Sequence, residues 1–163
     1  MGTEEGVSPR PSAGSPEIPT FDGRVLVIGR VVAHRSILSA SERSIYSETD
    51  VTAEMVFESG PTSLIAGSTI SILVAGGTVR LPNGQVISFL TQPRAFSIQT
   101  GRVYLMALRW YPKGDFYALR ESWDLTSGTV QPNSRLGVWR KENGGSRIIG
   151  LSRLGLTKYL AGK

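Results

Sequence analysis

Apolar and polar residues alternate along this chain in short runs that glycine, proline and serine interrupt. Arg24–Arg35 (RVLVIGRVVAHR) places Val25, Val27, Gly29, Val31 and Ala33 on one face. A period of two predicts a strand with one side against a core. Gly29 within it predicts a bulge or a bend. Ser36–Ser44 has four serines among nine residues and reads as a loop. Ile45–Glu58 alternates again: Ile45, Thr49, Val51, Ala53, Met55 and Phe57 face one way, and Tyr46, Glu48, Asp50, Thr52, Glu54 and Glu58 the other. That is a long strand with one wet side. Thr69–Ala75 (TISILVA) is nearly continuous in apolar residues, as a buried strand should be. Thr78–Leu81 and Gln85–Phe89 flank Pro82-Asn83-Gly84, a hairpin signature. Residues 90–101 read as a loop. Arg102–Tyr111 and Asp115–Trp123 are two strands joined across Pro112-Lys113-Gly114. Asn143-Gly144-Gly145 marks a further hairpin between Leu136–Lys141 and Arg147–Leu151. Ser152–Leu160 reads as a short helix that Gly162 stops. Six to eight strands and little helix make an all-β barrel or sandwich.

The two ends differ from the middle. Residues 1–20 hold four prolines, three glycines and three serines, the composition of a flexible tail. Such a tail cannot bury enough apolar surface to order itself. If fixed, it is held by neighbouring subunits, as an extended strand on an exposed edge. The net charge of +5 is concentrated at the other end. Residues 135–163 carry seven bases (Arg135, Arg140, Lys141, Arg147, Arg153, Lys158 and Lys163) against Glu142 alone, a balance of +6. Ile148, Ile149, Leu151, Leu154, Leu156, Tyr159 and Leu160 make this segment too apolar for a free tail. It suits an acidic protein partner or an anionic membrane surface, or it covers the open end of its own barrel.

Chemistry is sparse. Cys is absent and His34 is the sole histidine, which removes disulfides, thiol catalysis, Cys-ligated metals and His-rich metal sites. His34 reads as a surface residue near a strand end. Glu48, Asp50, Glu54 and Glu58 on one strand face read as a solvated acidic face, because calcium loops need Asp- and Asn-rich turns that this chain lacks. The glycine pairs lack the spacing of phosphate-binding loops, and Gly150-x-Ser152-x-x-Gly155 lacks that of a nucleophile elbow. No reaction, metal or cofactor is implied, and the chain is expected not to be an enzyme. No run is long and apolar enough to span a membrane as a helix, and the N-terminal residues show no signal peptide. The candidate partner-binding residues are Arg109, Trp110, Tyr111 and Lys113 on one hairpin, Trp139, Arg140 and Lys141, and Arg147, Arg153 and Lys158. Bases interleaved with aromatics can stack and neutralise single-stranded nucleic acid, or the rings can be core.

The order of features resembles a known family. A first strand, VLVIGRVVAH, is followed by a polar loop and then IYSETDVTAEMVFES, with Tyr46 five residues before Val51. ILVAGG ends a strand in two glycines, Gly101-Arg102-Val103-Tyr104-Leu105 supplies a Gly-x-x-Tyr-Leu motif, and a returning strand ends in Trp123-Asp124-Leu125. This series resembles the netrin-like (NTR) domain, the OB-type barrel of tissue inhibitors of metalloproteinases, and more closely uncharacterised bacterial extracytoplasmic proteins of that kind. The resemblance covers about Phe21–Gln131. It implies an antiparallel OB-type barrel over 21–131, between the N-terminal tail of 1–20 and a basic segment of 132–163, with neither end needed for the barrel's core. It implies a non-catalytic, periplasmic or extracellular protein that binds a protein partner or joins a larger assembly. The inhibitors act through an N-terminal cysteine, which this chain lacks, so no inhibitory residue carries over. A single-stranded nucleic-acid binder is the alternative.

Overall fold

A computed structural model describes residues 18–41, 43–89, 98–133 and 147–162. Among the described residues the strands are β1 (Arg24–Leu38), β2 (Ile45–Ser59), β3 (Thr69–Ala75), β4 (Gly77–Arg80), β5 (Val86–Phe89), β6 (Val103–Tyr111), β7 (Phe116–Asp124) and β8 (Gln131–Pro132), and a helix, α1 (Arg153–Ala161), follows them. The described residues are mostly β, as the alternation predicts.

Six strands form one sheet in the order β3-β2-β1-β6-β7-β8. Neighbours along that order are antiparallel. The order then returns on itself, because β3 also pairs with β7, in parallel, through Ile72↔Tyr117 and Leu73↔Ala118. The result is ring-like. β4 and β5 form a separate two-stranded hairpin. At its turn Gly84 takes φ 88°, and the Asn83 side chain accepts a bond from the Gln85 amide at 2.9 Å.

Alternation gives the sheet two faces, and both carry a core. The inner cluster draws on every strand of the ring: Val25, Val27 and Val31, Val51, Ile72 and Val74, Tyr104, Met106 and Leu108, and Tyr117 and Leu119. Gly29 belongs to this packing. A Cβ there would collide with Val51 Cγ1, so the strands approach as closely as they do only because position 29 has no side chain. The outer cluster contains Leu26, Ile28, Val103, Leu105, Ala107, Trp123 and Leu125 from β1, β6 and the end of β7, together with Ile18, Val130, Ile148 and Leu156.

Three register shifts in the β1/β2 pair fall between Leu26 and Val27, Ile28 and Gly29, and Val31 and Ala33. The second meets the expectation of a bulge at Gly29. Their effect on sidedness corrects the alternation read from sequence, since one unpaired residue turns the following side chains to the other face. Val56 packs against the inner cluster, whereas Met55 and Phe57 pack against the outer one. Ala33, expected beside Val31, pairs with Asp50, and His34 pairs with Thr49.

The ends of the chain are likewise more integrated than expected. Ile18, assigned by sequence to the tail, is 5% exposed and sits in the outer cluster. Of the second expected hairpin, the arm Leu136–Lys141 lies outside the described residues, and Arg147–Leu151 forms bends and a turn, not a strand. This stretch is fixed by backbone bonds to the sheet side: Val130 donates to Leu151 and Gly150 donates to Val130, both at 2.8 Å. The helix, expected over Ser152–Leu160, runs Arg153–Ala161, and the Ser152 hydroxyl caps it by accepting from the Gly155 amide at 3.1 Å. α1 and Ile148 thus cover the outer face of the chain's own sheet.

Candidate functional site

At the far end of β6 the expected basic and aromatic residues come together. Arg109 and Tyr111 lie two apart on one strand and so share a face. The Arg109 guanidinium stands over the Tyr111 ring, 5.4 Å from its centroid. Phe116, opposite Tyr111 in the β6/β7 register, stacks on it with centroids 5.3 Å apart and planes 20° apart. Trp110 points the other way. It packs against the inner cluster and meets Tyr117 at 4.7 Å, tilted 52°. Lys113 is exposed in the connecting turn, where Asp115 adopts φ 56°.

Two more arginines belong to this surface: Arg120, which the sequence already sets among bases interleaved with aromatics, and Arg24, which sequence reasoning missed. Arg120 lies over the Phe21 ring at 5.7 Å. It falls at the β6/β7 irregularity between Ala107 and Leu108, which alternation cannot foresee. Arg24, opposite Arg109 in the β1/β6 register, bonds to Glu58 at 2.5 Å and to the Pro19 carbonyl at 2.9 Å. A shallow depression of about 480 Å³ lies beside it, lined by Thr20–Arg24, Glu58 and Gly60.

The acidic face of β2 is an ion-paired strip. Glu48 and Asp50 both meet Arg35, and Glu58 meets Arg24. Glu54 bridges Arg30 of β1 at 3.0 Å and Arg153 of α1 at 2.6 Å. Partial burial pushes the Glu54 carboxyl up, but hydrogen bonds from Arg153 and Arg30 outweigh it and hold the group below its usual value. Arg153, a candidate partner contact by sequence, therefore anchors the helix. Asp124 behaves similarly. Burial raises it, and bonds from Thr126 and from Arg102, at 2.7 Å, bring it below its usual range.

His34 is not a strand-end surface residue. The shift after Val31 turns it toward Thr49, whose hydroxyl lies 2.7 Å from Nδ1. Thr49 is fully buried, and burial lowers the His34 pKa. Ser36 and Ser47 pair beside it at 3.2 Å, and Ser47 donates to the Gly76 carbonyl at 3.0 Å. This polar group satisfies the bonding of one end of the sheet's interior. Among the described residues, the side-chain partner of His34 is the Thr49 hydroxyl and not a carboxylate.

Arg147 and Lys158 are exposed, Lys158 in the last turn of α1. Trp139, Arg140 and Lys141 lie outside the described residues. Among the described residues, no three His, Cys, Asp or Glu side chains are grouped to hold a metal ion, and no helix is long and apolar enough to cross a membrane. The surface around Arg109 is thus the place where cations, rings and a depression converge. No protein-family model and no curated protein matches the chain, so the reading of its function rests on this geometry and on the sequence.

Proposed function

We propose that this chain is a non-catalytic protein-interaction or assembly subunit, built on an NTR-like barrel of OB type and working outside the cytoplasm. The observation that carries the reading is the strand order. β1, β2 and β3 form a meander, β6 returns to β1, and β7 closes against β3 as a parallel pair. That connectivity is the one expected of a five-stranded OB-type barrel. Its interior is filled by Val25, Val27, Val51, Ile72, Tyr104, Met106 and Leu108, so its binding surfaces are external. The extracytoplasmic location rests on the motif series alone.

Native mass measurement on the protein isolated from its own source tests the proposal. The expected result is a particle heavier than one chain. A strictly monomeric, partnerless particle overturns it. The alternative, single-stranded nucleic-acid binding, draws its support from the Arg109–Tyr111 contact. It predicts tight binding of labelled single strands that weakens steeply with salt.

A further inference from the structure

The cationic surface at the start of β1, the end of β6 and the start of β7 has no assigned role. Resting on the reading of the chain as an interaction module, we propose that it binds a short acidic segment of a partner protein. Arg109, Lys113 and Arg120 hold the carboxylates, set among Phe21, Tyr111 and Phe116.

Charge accounting is the first support. Arg24, Arg30, Arg35, Arg102 and Arg153 each form an ion pair with a carboxylate of the chain. Arg109 and Arg120 lie against aromatic rings instead. Asp22 and Asp115 occupy the adjoining turns, yet among the described residues neither forms an ion pair with Arg109, Lys113 or Arg120. Among the described residues, no ion pair therefore neutralises the charge of these cations.

Register is the second. Arg24 and Arg109 stand directly opposite each other on β1 and β6, and like charges in that position repel. Glu58 compensates Arg24. An incoming carboxylate would compensate Arg109. Contact with a ring limits each guanidinium's freedom before binding, and a planar guanidinium can meet a carboxylate bidentately, so less freedom is lost on binding. The depression bounded by Phe21, Arg24 and Glu58 adjoins the cations and offers room for a neighbouring side chain of the segment.

The rings decide between a peptide and a nucleic acid. Base stacking needs open ring faces. Tyr111 and Phe116 are stacked on each other, and Arg109 covers Tyr111. Trp110 is turned inward against Tyr117. The guanidinium fork needs no stacking, and a carboxylate satisfies it directly.

The test is anisotropy titration of the full chain with a labelled deca-glutamate peptide, at low and moderate salt. Saturable, salt-weakened binding is expected. The double substitution Arg109→Gln/Arg120→Gln should weaken it by about tenfold or more, since charge-assisted bonds are the strong ones. The double substitution Arg80→Gln/Lys158→Gln removes equal charge elsewhere and should change affinity less than about twofold. Matching melting curves show that both variants fold. Absence of saturable binding, or equal weakening by both pairs, overturns the proposal. So does tighter binding of an equally charged oligothymidylate. If native assembly persists in Arg109→Gln/Arg120→Gln and the wild type ignores the peptide, this surface assignment fails while the module reading stands. A monomeric, partnerless chain that still binds the peptide fails in the opposite way.

Discussion

Truncating Leu156 to alanine tests whether the C-terminal helix is part of the fold or a detachable arm. Leu156 is fully buried, in the outer cluster with Leu26, Ile28, Leu105 and Trp123. The substitution removes three carbons from that site. At about 0.8 kcal/mol per buried carbon, the transfer loss alone is about 2.4 kcal/mol. The cavity left behind adds to it, so the total should fall at about 2.5–4 kcal/mol, within the range measured for buried leucines. For a chain of this size each kcal/mol lowers Tm by about 2–4 °C, giving a fall of about 5–15 °C. Leu154, two residues earlier on the same helix, is 64% exposed. Leu154→Ala should stay within about 0.5 kcal/mol, which controls for helix propensity. Circular dichroism melting supplies Tm, and amide hydrogen exchange shows whether β6 and β7 lose protection along with α1. A fall below about 2 °C, with exchange faster in α1 alone, would refute the reasoning: the helix would then open locally and the sheet would stand without it.

Three other expectations follow from particular contacts. Gly29→Ala should destabilise by about 1–3 kcal/mol in a urea melt, because the new methyl meets Val51 in a filled interior; an unchanged midpoint would show slack there. The depressed Glu54 carboxyl contributes stability that is complete above its ordinary pKa of 4.5 and is lost as pH falls through the lower folded value. Glu54→Gln should therefore cost less than about 1 kcal/mol at neutral pH and flatten the wild-type loss of stability below pH 4.5. His34, the sole histidine, should titrate below its ordinary 6.5 by proton NMR, and it contributes stability above that pH that declines as pH falls through the lower folded value; a midpoint at or above 6.5 contradicts its inward placement.

What the sequence determined by itself was local. Period-two alternation located β1 and β2, and apolar runs bounded by turn residues located β3, β6 and β7, each to within three residues, because a strand's faces and its breaks are written directly into consecutive positions; β1 runs furthest beyond its expected end, through residues 36–38 of the serine-rich stretch. The Pro82-Asn83-Gly84 turn and the short helix that Gly162 stops were legible for the same reason: the bonds that define them close within a few residues. Tertiary structure decided whatever depends on distant partners. Alternation cannot show where one strand carries an extra residue opposite its neighbour, so the inward turn of His34 and the outward turn of Met55 and Phe57 were hidden. The parallel contact of β3 with β7, which makes the order of strands return on itself, joins residues far apart in the chain and has no local signature. The apolar C-terminal segment was recognisably too hydrophobic to be free, but its destination required knowing that Leu26, Ile28, Leu105 and Trp123 present a second apolar face. Arg153 looked like one more surface cation until Glu54, on a strand distant in sequence, was placed beside it. Charge and hydrophobicity are properties of single residues, whereas what each one meets is set by the register and packing of the whole sheet.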